Sequence, residues 1–305
     1  MKVLITGASG LIGNRLREML LAKGYEVNTI GRKPASGRKK SNTFYWDLEA
    51  MTMDEKALDG VGAIVHLAGA GVADARWTSS RKKEIMDSRV QSTQLLFQTL
   101  KKIPHKVEVL VSASAVGIYG DCGAEVVTET HPAATTFLAD VCVQWEREVK
   151  QFTTLGIREV RNRIGIVLAK DGGALPELSK SLAFGVAGYF TKSPLFYPWI
   201  HIDDVCGIFI HALENNQIKG AYNLCAPAPL ELKDLMQAII NGSGKKALLV
   251  PAPAFVIKLA MGEMAEMLLS SQKCSAAKVL KSGYQFIYQD AAKAVEKELR
   301  GNLVS

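Results

Sequence analysis

A chain of 305 residues is long enough for one large domain or two joined ones, and its 48% hydrophobic and 22% charged content is that of an ordinary soluble globular protein. Five cysteines, Cys122, Cys142, Cys206, Cys225 and Cys274, are scattered with no C-x-x-C pair. That excludes a disulfide or zinc framework and reads as reduced thiols. The net charge of +7 gathers in GRKPASGRKK (31–40) and in the pairs Lys82-Lys83, Lys101-Lys102 and Lys245-Lys246. No helix-turn-helix, zinc-finger or RNA-binding motif accompanies it, so no nucleic-acid partner is expected. The later lysine pairs read as solvated helix ends.

The first half alternates strand and helix. KVLIT (2–6) reads as a strand, and Leu11 to about Lys23 as a helix ending near Gly24. YEVNTIG (25–31) and NTFYWD (42–47) are the next strands, followed by the apolar, glycine-bounded GAIVHLAG (62–69). A long helix is predicted from about Ser79 to Lys102, then the strand VEVLVSAS (107–114). Phe137 to about Thr154 is helical, and IREVRNRIGIVL (157–168) contains another strand. This order predicts an α/β fold with a Rossmann-type, doubly wound parallel sheet. Right-handed crossovers then bring Gly7, Gly69 and Ser112–Ser114 to one ligand-binding edge.

Beyond about residue 170 the pattern changes. Helices at 203–215 and 232–241 mix with short strands and prolines, and the stretch from Pro251 reads as helices followed by YQFIY (284–288). The expected organisation is a dinucleotide-binding domain over 1–170, with some later segments returning to it, and a smaller α+β substrate lobe over 171–305. The N-terminal MKVLITG reads as a strand rather than a signal peptide, and no apolar run reaches spanning length. The expectation is a cytoplasmic monomer or homodimer without a membrane partner.

The turn TGASGLIG (6–13) carries Gly7, Gly10 and Gly13 between an apolar strand and an amphipathic helix. Gly7 permits the tight turn, Gly10 lets a pyrophosphate approach the backbone, and Gly13 lets helix and strand pack closely. The helix N-terminus offers free N–H groups to phosphate. At the end of the second strand stand Gly31, Arg32 and Lys33, with no acidic residue between Glu26 and Asp47. A carboxylate there would repel a 2′-phosphate, whereas a guanidinium grips it in bidentate fashion. The expected cofactor is therefore NADP(H). Arg38, Lys39 and Lys40 either add to that field or form a solvated loop.

With TGASGLIG, HLAGA (66–70), VSASAVGIYGD (111–121), FLADVCVQWE (137–146), YPWIHIDDV (197–205) and GYQFIY (283–288), the chain resembles the extended short-chain dehydrogenase/reductases. More narrowly it resembles an atypical branch of NAD(P)-dependent epimerases of unknown substrate, some of which carry a cell-division-inhibitor label. The resemblance implies that Gly7, Ser9, Gly10, Leu11 and Ile12 line the pyrophosphate. Gly31 and Arg32 would meet the adenosine ribose and its phosphate, Asp47 and Leu48 the adenine, and Leu67, Ala68 and Gly69 the ribose. The family's asparagine in the long helix is replaced by Arg89 in RVQST (89–93), whose donors would reach the cofactor cleft beside Ser112.

One departure concerns the chemistry. The wider family uses Tyr-x-x-x-Lys on a helix, the lysine lowering the pKa of a proton-exchanging tyrosine. Here Leu138 and Cys142 stand at those positions, and no Tyr-x-x-x-Lys occurs anywhere in the chain. Ser114 is placed by the resemblance at the catalytic serine, with Tyr119 as substitute acid. A strand-end serine and a buried structural tyrosine are the alternatives. Cys142 reads as a small buried residue or a reactive thiol, and Asp203 as a helix cap. His66 and His201 are isolated, so no metal is expected. Trp77, Phe190, Phe196, Tyr197 and Trp199 line an aromatic pocket or pack a core. Two functions stand: an NADP(H)-dependent oxidoreductase or epimerase on a small molecule, or a non-catalytic NADP(H)-sensing protein.

Overall fold

The first strand, Lys2–Thr6 (β1), buries Val3, Leu4 and Ile5 completely, as a central parallel strand covered on both faces must. The structure is a computed structural model and describes residues 1–32 and 42–301. The chain divides into two units. The first comprises Met1–Ser114, Val141–Asn162 and Cys206–Tyr222, and the second the remainder.

In the first unit, β1 is followed by the helix Leu11–Ala22 (α1), the strands Glu26–Arg32 (β2), Thr43–Asp47 (β3), Thr52–Met53 (β4) and Val61–His66 (β5), the helix Ser79–Lys102 (α2), the strand Val109–Ala115 (β6) and the helix Phe137–Lys150 (α3). Among the described residues the sheet has eight strands. Its order is Gly220–Leu224, Arg158–Ile164, β6, β5, β1, β2, β3, β4. Pairing is parallel from β6 through β5, β1 and β2 to β3, and only the short β4 turns back antiparallel on β3. This is the α/β, doubly wound, Rossmann-type sheet that the alternating pattern predicts. Its register puts Thr6 opposite Ile30 on one side and His66 on the other, with His66 opposite Ser112. The strand C-termini thus lie level along one edge.

The second unit is built from short pieces around its own core. Ile166–Ala169 pairs in parallel with Trp199–His201, and Val186–Phe190 with Leu248–Ala252. Tyr197, Trp199, Leu232, Leu235, Ile239 and Val295 are among the side chains that fill this core. The aromatic residues Tyr197 and Trp199 are therefore packing residues, and Phe190 leans on the same cluster.

Three expectations are corrected. The strand read over 62–69 stops at His66, because Leu67 and Ala68 turn to bond the Thr6 hydroxyl. The segment 157–168 holds two strands, Arg158–Ile164 and Ile166–Ala169, interrupted at Gly165. The stretch 284–288 is irregular, and a final helix, Ala291–Arg300, which the sequence reading did not contain, follows it.

Candidate functional site

The glycine turn has a steric reason at each of its outer positions. Gly7 adopts φ +67°, and a Cβ there would stand 2.8 Å from the Leu67 carbonyl carbon. At Gly13 a Cβ would stand 2.3 Å from the Gly7 carbonyl oxygen, so only glycine lets α1 sit this close to the turn. Gly10 is different: a Cβ would find only the Gly7 oxygen, at 3.4 Å. The surface above Gly10 is open, and a side chain would fill it. No side chain caps α1 at Gly10, and no acidic residue stands in the first turn with Leu11, Ile12 and Gly13. Its N-terminal dipole is therefore unopposed by any acidic side chain in the first turn, which suits an anion. Ser9 is exposed beside it, its carbonyl accepting from Asn14 Nδ2 at 3.1 Å.

Along the same edge, Gly31 lies near the end of β2 with nothing among the described residues within 4 Å of an added Cβ, and Arg32 is exposed at the strand end. Lys33, with Arg38, Lys39 and Lys40, lies outside the described residues. Asp47 ends β3; its Oδ1 accepts the Glu49 and Ala50 N–H groups at 2.9 and 3.0 Å, which fixes the turn that carries Leu48. The open cradle at Gly10 and the space at Gly31 fit a dinucleotide.

Between β5 and α2 the edge is tied by one buried network. The Thr6 hydroxyl oxygen accepts the Leu67 and Ala68 N–H groups at 3.0 and 3.1 Å and stands 2.8 Å from His66 Nδ1. His66 Nε2 is 3.0 Å from the Thr93 hydroxyl. Burial first, then the nearby Arg89 charge, pull the His66 pKa down to about 3. It is a neutral structural histidine. Arg89 donates to the carbonyls of Ala70 and Ile85 at 3.0 and 2.9 Å, lies over the Trp145 ring at 5.3 Å, and covers Gly69. Its charge also interacts with the buried Cys142 on α3. The sequence reading found no basic residue beside this thiol because α2 and α3 are distant in the chain.

Ser112 is fully buried, its hydroxyl donating to the Ala113 carbonyl at 2.9 Å. Ser114 donates its hydroxyl to Glu146 Oε1 at 2.8 Å. Glu146 Oε2 accepts from Arg161 Nη1 at 3.0 Å, and Arg161 grips Glu159 through Nε at 2.8 Å and Nη2 at 3.2 Å. All four residues are buried. Burial raises the Glu159 pKa above the usual carboxylate range; Arg161 opposes this and Glu146 adds to it. Glu146, Glu159 and Arg161, which the sequence reading did not single out, form the network that adjoins Ser114. The available signal was spacing: Glu146 follows Cys142 by one helical turn.

Tyr119 belongs to the second unit. Its hydroxyl donates to Asn223 Oδ1 at 2.6 Å and accepts from Arg163 Nη1 at 2.8 Å. Burial drives its pKa above the ordinary phenol value, although Arg163 pulls the other way. The single Tyr119 proton is thus donated to Asn223, and burial disfavours its loss. Asp203 stands in the first turn of the helix Ile202–Glu214, where its charge suits the helix N-terminus, and its own N–H donates to His201 Nδ1 at 3.1 Å. The neighbouring Asp204 instead accepts the Ile287 and Tyr288 N–H groups at 2.7 and 2.9 Å. Among the described residues no group of three or more His, Cys, Asp or Glu side chains is arranged to hold a metal. None of the described helices is long and apolar enough to cross a membrane.

The model of the NAD dependent epimerase/dehydratase family matches residues 3–140, and a domain of unknown function (DUF1731) matches residues 252–298. An epimerase family protein of Staphylococcus saprophyticus is 33% identical over 96% of this chain and 97% of its own length. The human epimerase family protein SDR39U1 is 31% identical over 97% of this chain and 99% of its own. The chain belongs to the epimerase/dehydratase family. Within that family, a crystal structure of human SDR39U1 (isoform 2) with NADPH superposes with a TM-score of 0.87 at 30% identity, covering 99% of this chain and 100% of that one. A nucleoside-diphosphate sugar epimerase of Corynebacterium glutamicum superposes with a TM-score of 0.79 at 31% identity, covering 98% of this chain and 58% of that one. A UDP-glucose 4-epimerase of Thermus thermophilus in complex with NAD shares the fold at 20% identity and a TM-score of 0.76.

Proposed function

We propose that this epimerase-family protein binds NADP(H) and acts as an oxidoreductase or epimerase on a small hydroxyl or carbonyl compound. The observation that carries the cofactor reading is the pairing of the uncapped, open turn at Gly10 with Arg32, rather than an acid, at the end of β2. In this reading Gly7, Ser9, Gly10, Leu11, Ile12 and Gly13 hold the pyrophosphate through backbone N–H groups and the helix dipole. Gly31 leaves room for the 2′-phosphate that Arg32 and Lys33 attract. Asp47 and Leu48 flank the adenine. Leu67, Ala68 and Gly69 flank the ribose, held in place by Thr6. Arg89 fixes the Gly69–Ala70 backbone, with Ser112 at the same edge. The human relative solved with NADPH supports the choice of NADP(H).

NADP(H), when bound, supplies hydride exchange with the substrate carbon. The chain's own contribution is Ser114, at the strand end where the family's serine stands. Its O–H is donated to Glu146, so its oxygen is left to accept a hydrogen bond from a substrate hydroxyl. A second reading, a non-catalytic NADP(H) sensor, is favoured by Leu138 and Cys142 at the dyad positions. The two are separated by following NADPH oxidation with a panel of small aldehydes, ketones and dicarbonyls. Turnover that is lost in Ser114→Ala supports the enzyme. Tight NADPH binding without turnover on any compound supports the sensor.

A further inference from the structure

The second unit presents large apolar side chains to solvent where polar ones are the rule. Its strands Val186–Phe190 and Leu248–Ala252 pair in parallel, with Val186 opposite Leu248 and Gly188 opposite Val250. Successive residues of a strand point to opposite faces. Ala187 and Leu249 pack on the core of the unit, while Val186, Gly188, Leu248 and Val250 are exposed, so the outer face of this small sheet is apolar. Phe184 stands just before it, and the adjoining Gly185 carbonyl accepts the Leu248 N–H at 2.9 Å. Pro253 then joins the second strand to the helix Ala254–Met261. At 3.6 residues per turn, Phe255, Val256 and Leu259 fall within one arc of about 100° on that helix, and all three are exposed. Leu259 is 86% exposed, Phe184 85%, Leu248 75% and Phe255 70%; these side chains stand out from the surface rather than line a groove. The charge within these segments has one sign. No acidic residue occurs from Leu178 to Phe196 or from Leu235 to Gly262, and five lysines do. Lys180 pairs with Glu177 and Lys192 with Asp121. Lys245 and Lys246, exposed at the entry to the second strand, and Lys258, exposed on the helix, make no ion pair among the described residues. The acids that follow, Glu263 and Glu266, come after the helix has ended.

We propose that this surface docks on a bilayer that contains anionic lipid, with Phe184, Leu248, Phe255 and Leu259 entering the acyl boundary and Lys245, Lys246 and Lys258 meeting the headgroups. Apolar side chains that stand out among lysines match an interface that is apolar beneath and negative above. A second copy of this chain is the poorer fit: a two-fold axis would set the same lysines against one another, and like charges repel across such a contact. The net charge of +7 draws the whole chain toward the same negative surface. The contact is interfacial, because the helix Ala254–Met261 has 8 residues against the roughly 20 that a span needs. No membrane partner is expected from the sequence, which has no apolar run of spanning length; this surface is assembled instead from three short segments. It is independent of the cofactor reading.

The test is co-sedimentation of the full-length protein with vesicles of phosphatidylcholine, with and without phosphatidylglycerol. At low salt the wild type should bind the phosphatidylglycerol vesicles at least tenfold more tightly than the neutral ones, and added salt should weaken that binding. Phe255→Ser combined with Leu259→Asp, and separately Leu248→Asp, should each lose at least tenfold. These side chains are exposed, so thermal unfolding of the variants should stay close to that of the wild type. Lys245→Glu with Lys246→Glu leaves the apolar side chains in place and should lose the preference for phosphatidylglycerol. No binding to either vesicle, equal binding to both, or binding that the apolar variants retain overturns the proposal. Sedimentation velocity on the same proteins without lipid identifies the other occupant. A wild-type dimer that Leu259→Asp converts to monomer, in a protein that binds no vesicle, assigns the surface to a second copy and overturns the membrane contact.

Discussion

The Thr6 hydroxyl faces His66 Nδ1 at 2.8 Å, and its oxygen is already filled by two N–H donors from Leu67 and Ala68. Its hydrogen must therefore go to the ring, so Nδ1 accepts and Nε2 carries the proton toward Thr93. With its pKa held near about 3, below the usual histidine value of 6.5, His66 stays neutral in the fold while the unfolded chain takes up a proton in mild acid. Stability from this group is full above about pH 6.5 and is lost as pH falls from there toward about 3. Urea unfolding at neutral and mildly acidic pH should show a loss on the order of a few kcal/mol. His66→Gln should reduce that slope even if it lowers stability overall.

The glycines of the turn divide by what surrounds them. Gly13→Ala drives a Cβ into the Gly7 carbonyl at 2.3 Å, which should destabilise the fold by about 1–3 kcal/mol in denaturant unfolding. Gly10→Val meets no such backbone and should fold with near-native stability. It should bind no measurable NADPH, because the branched side chain occupies the open cradle. Retained binding in folded Gly10→Val would place the cofactor elsewhere.

Much of this was legible in the sequence. The apolar runs of β1 and β5 and the spacing of Gly7, Gly10 and Gly13 specify a parallel sheet and its glycine turn, since both are local in the chain. What was not legible depends on long-range charge pairing. Ser114 and Glu146 are separated by 32 residues, and no spacing rule announces their bond. The partners of Tyr119 were hidden for the same reason: its bonds to Asn223, 104 residues away, and to Arg163 exist only once the second unit folds. The helix Ala291–Arg300 escaped the reading although Asp290 caps it through the Lys293 N–H.

Tyr119→Phe tests what the Tyr119 hydroxyl does. Removing the hydroxyl leaves Asn223 without its donor and takes one partner from Arg163, both buried. A stability loss of about 1–3 kcal/mol is expected, with kcat on any panel substrate changed less than threefold. A large fall in kcat with stability intact would return Tyr119 to the chemistry.

Cys142→Ala should leave turnover and NADPH affinity within about threefold of the wild type, because the thiol is buried on α3 and the substrate hydroxyl is assigned to Ser114. Ser114→Ala should lower turnover at least tenfold, about 1.4 kcal/mol of transition-state stabilisation. A dead Cys142→Ala protein with intact NADPH binding would make the thiol the reacting group.

The central claim is that the open turn at Gly10 and the arginine at the end of β2 together select NADP(H). Calorimetric titration of the wild type and Arg32→Ala with NADPH and NADH tests it most directly. The wild type should bind NADPH at least tenfold more tightly than NADH, a difference of about 1.4 kcal/mol, and Arg32→Ala should weaken NADPH while leaving NADH nearly unchanged. Equal affinities in the wild type, or an Arg32→Ala protein that loses both cofactors alike, would contradict it.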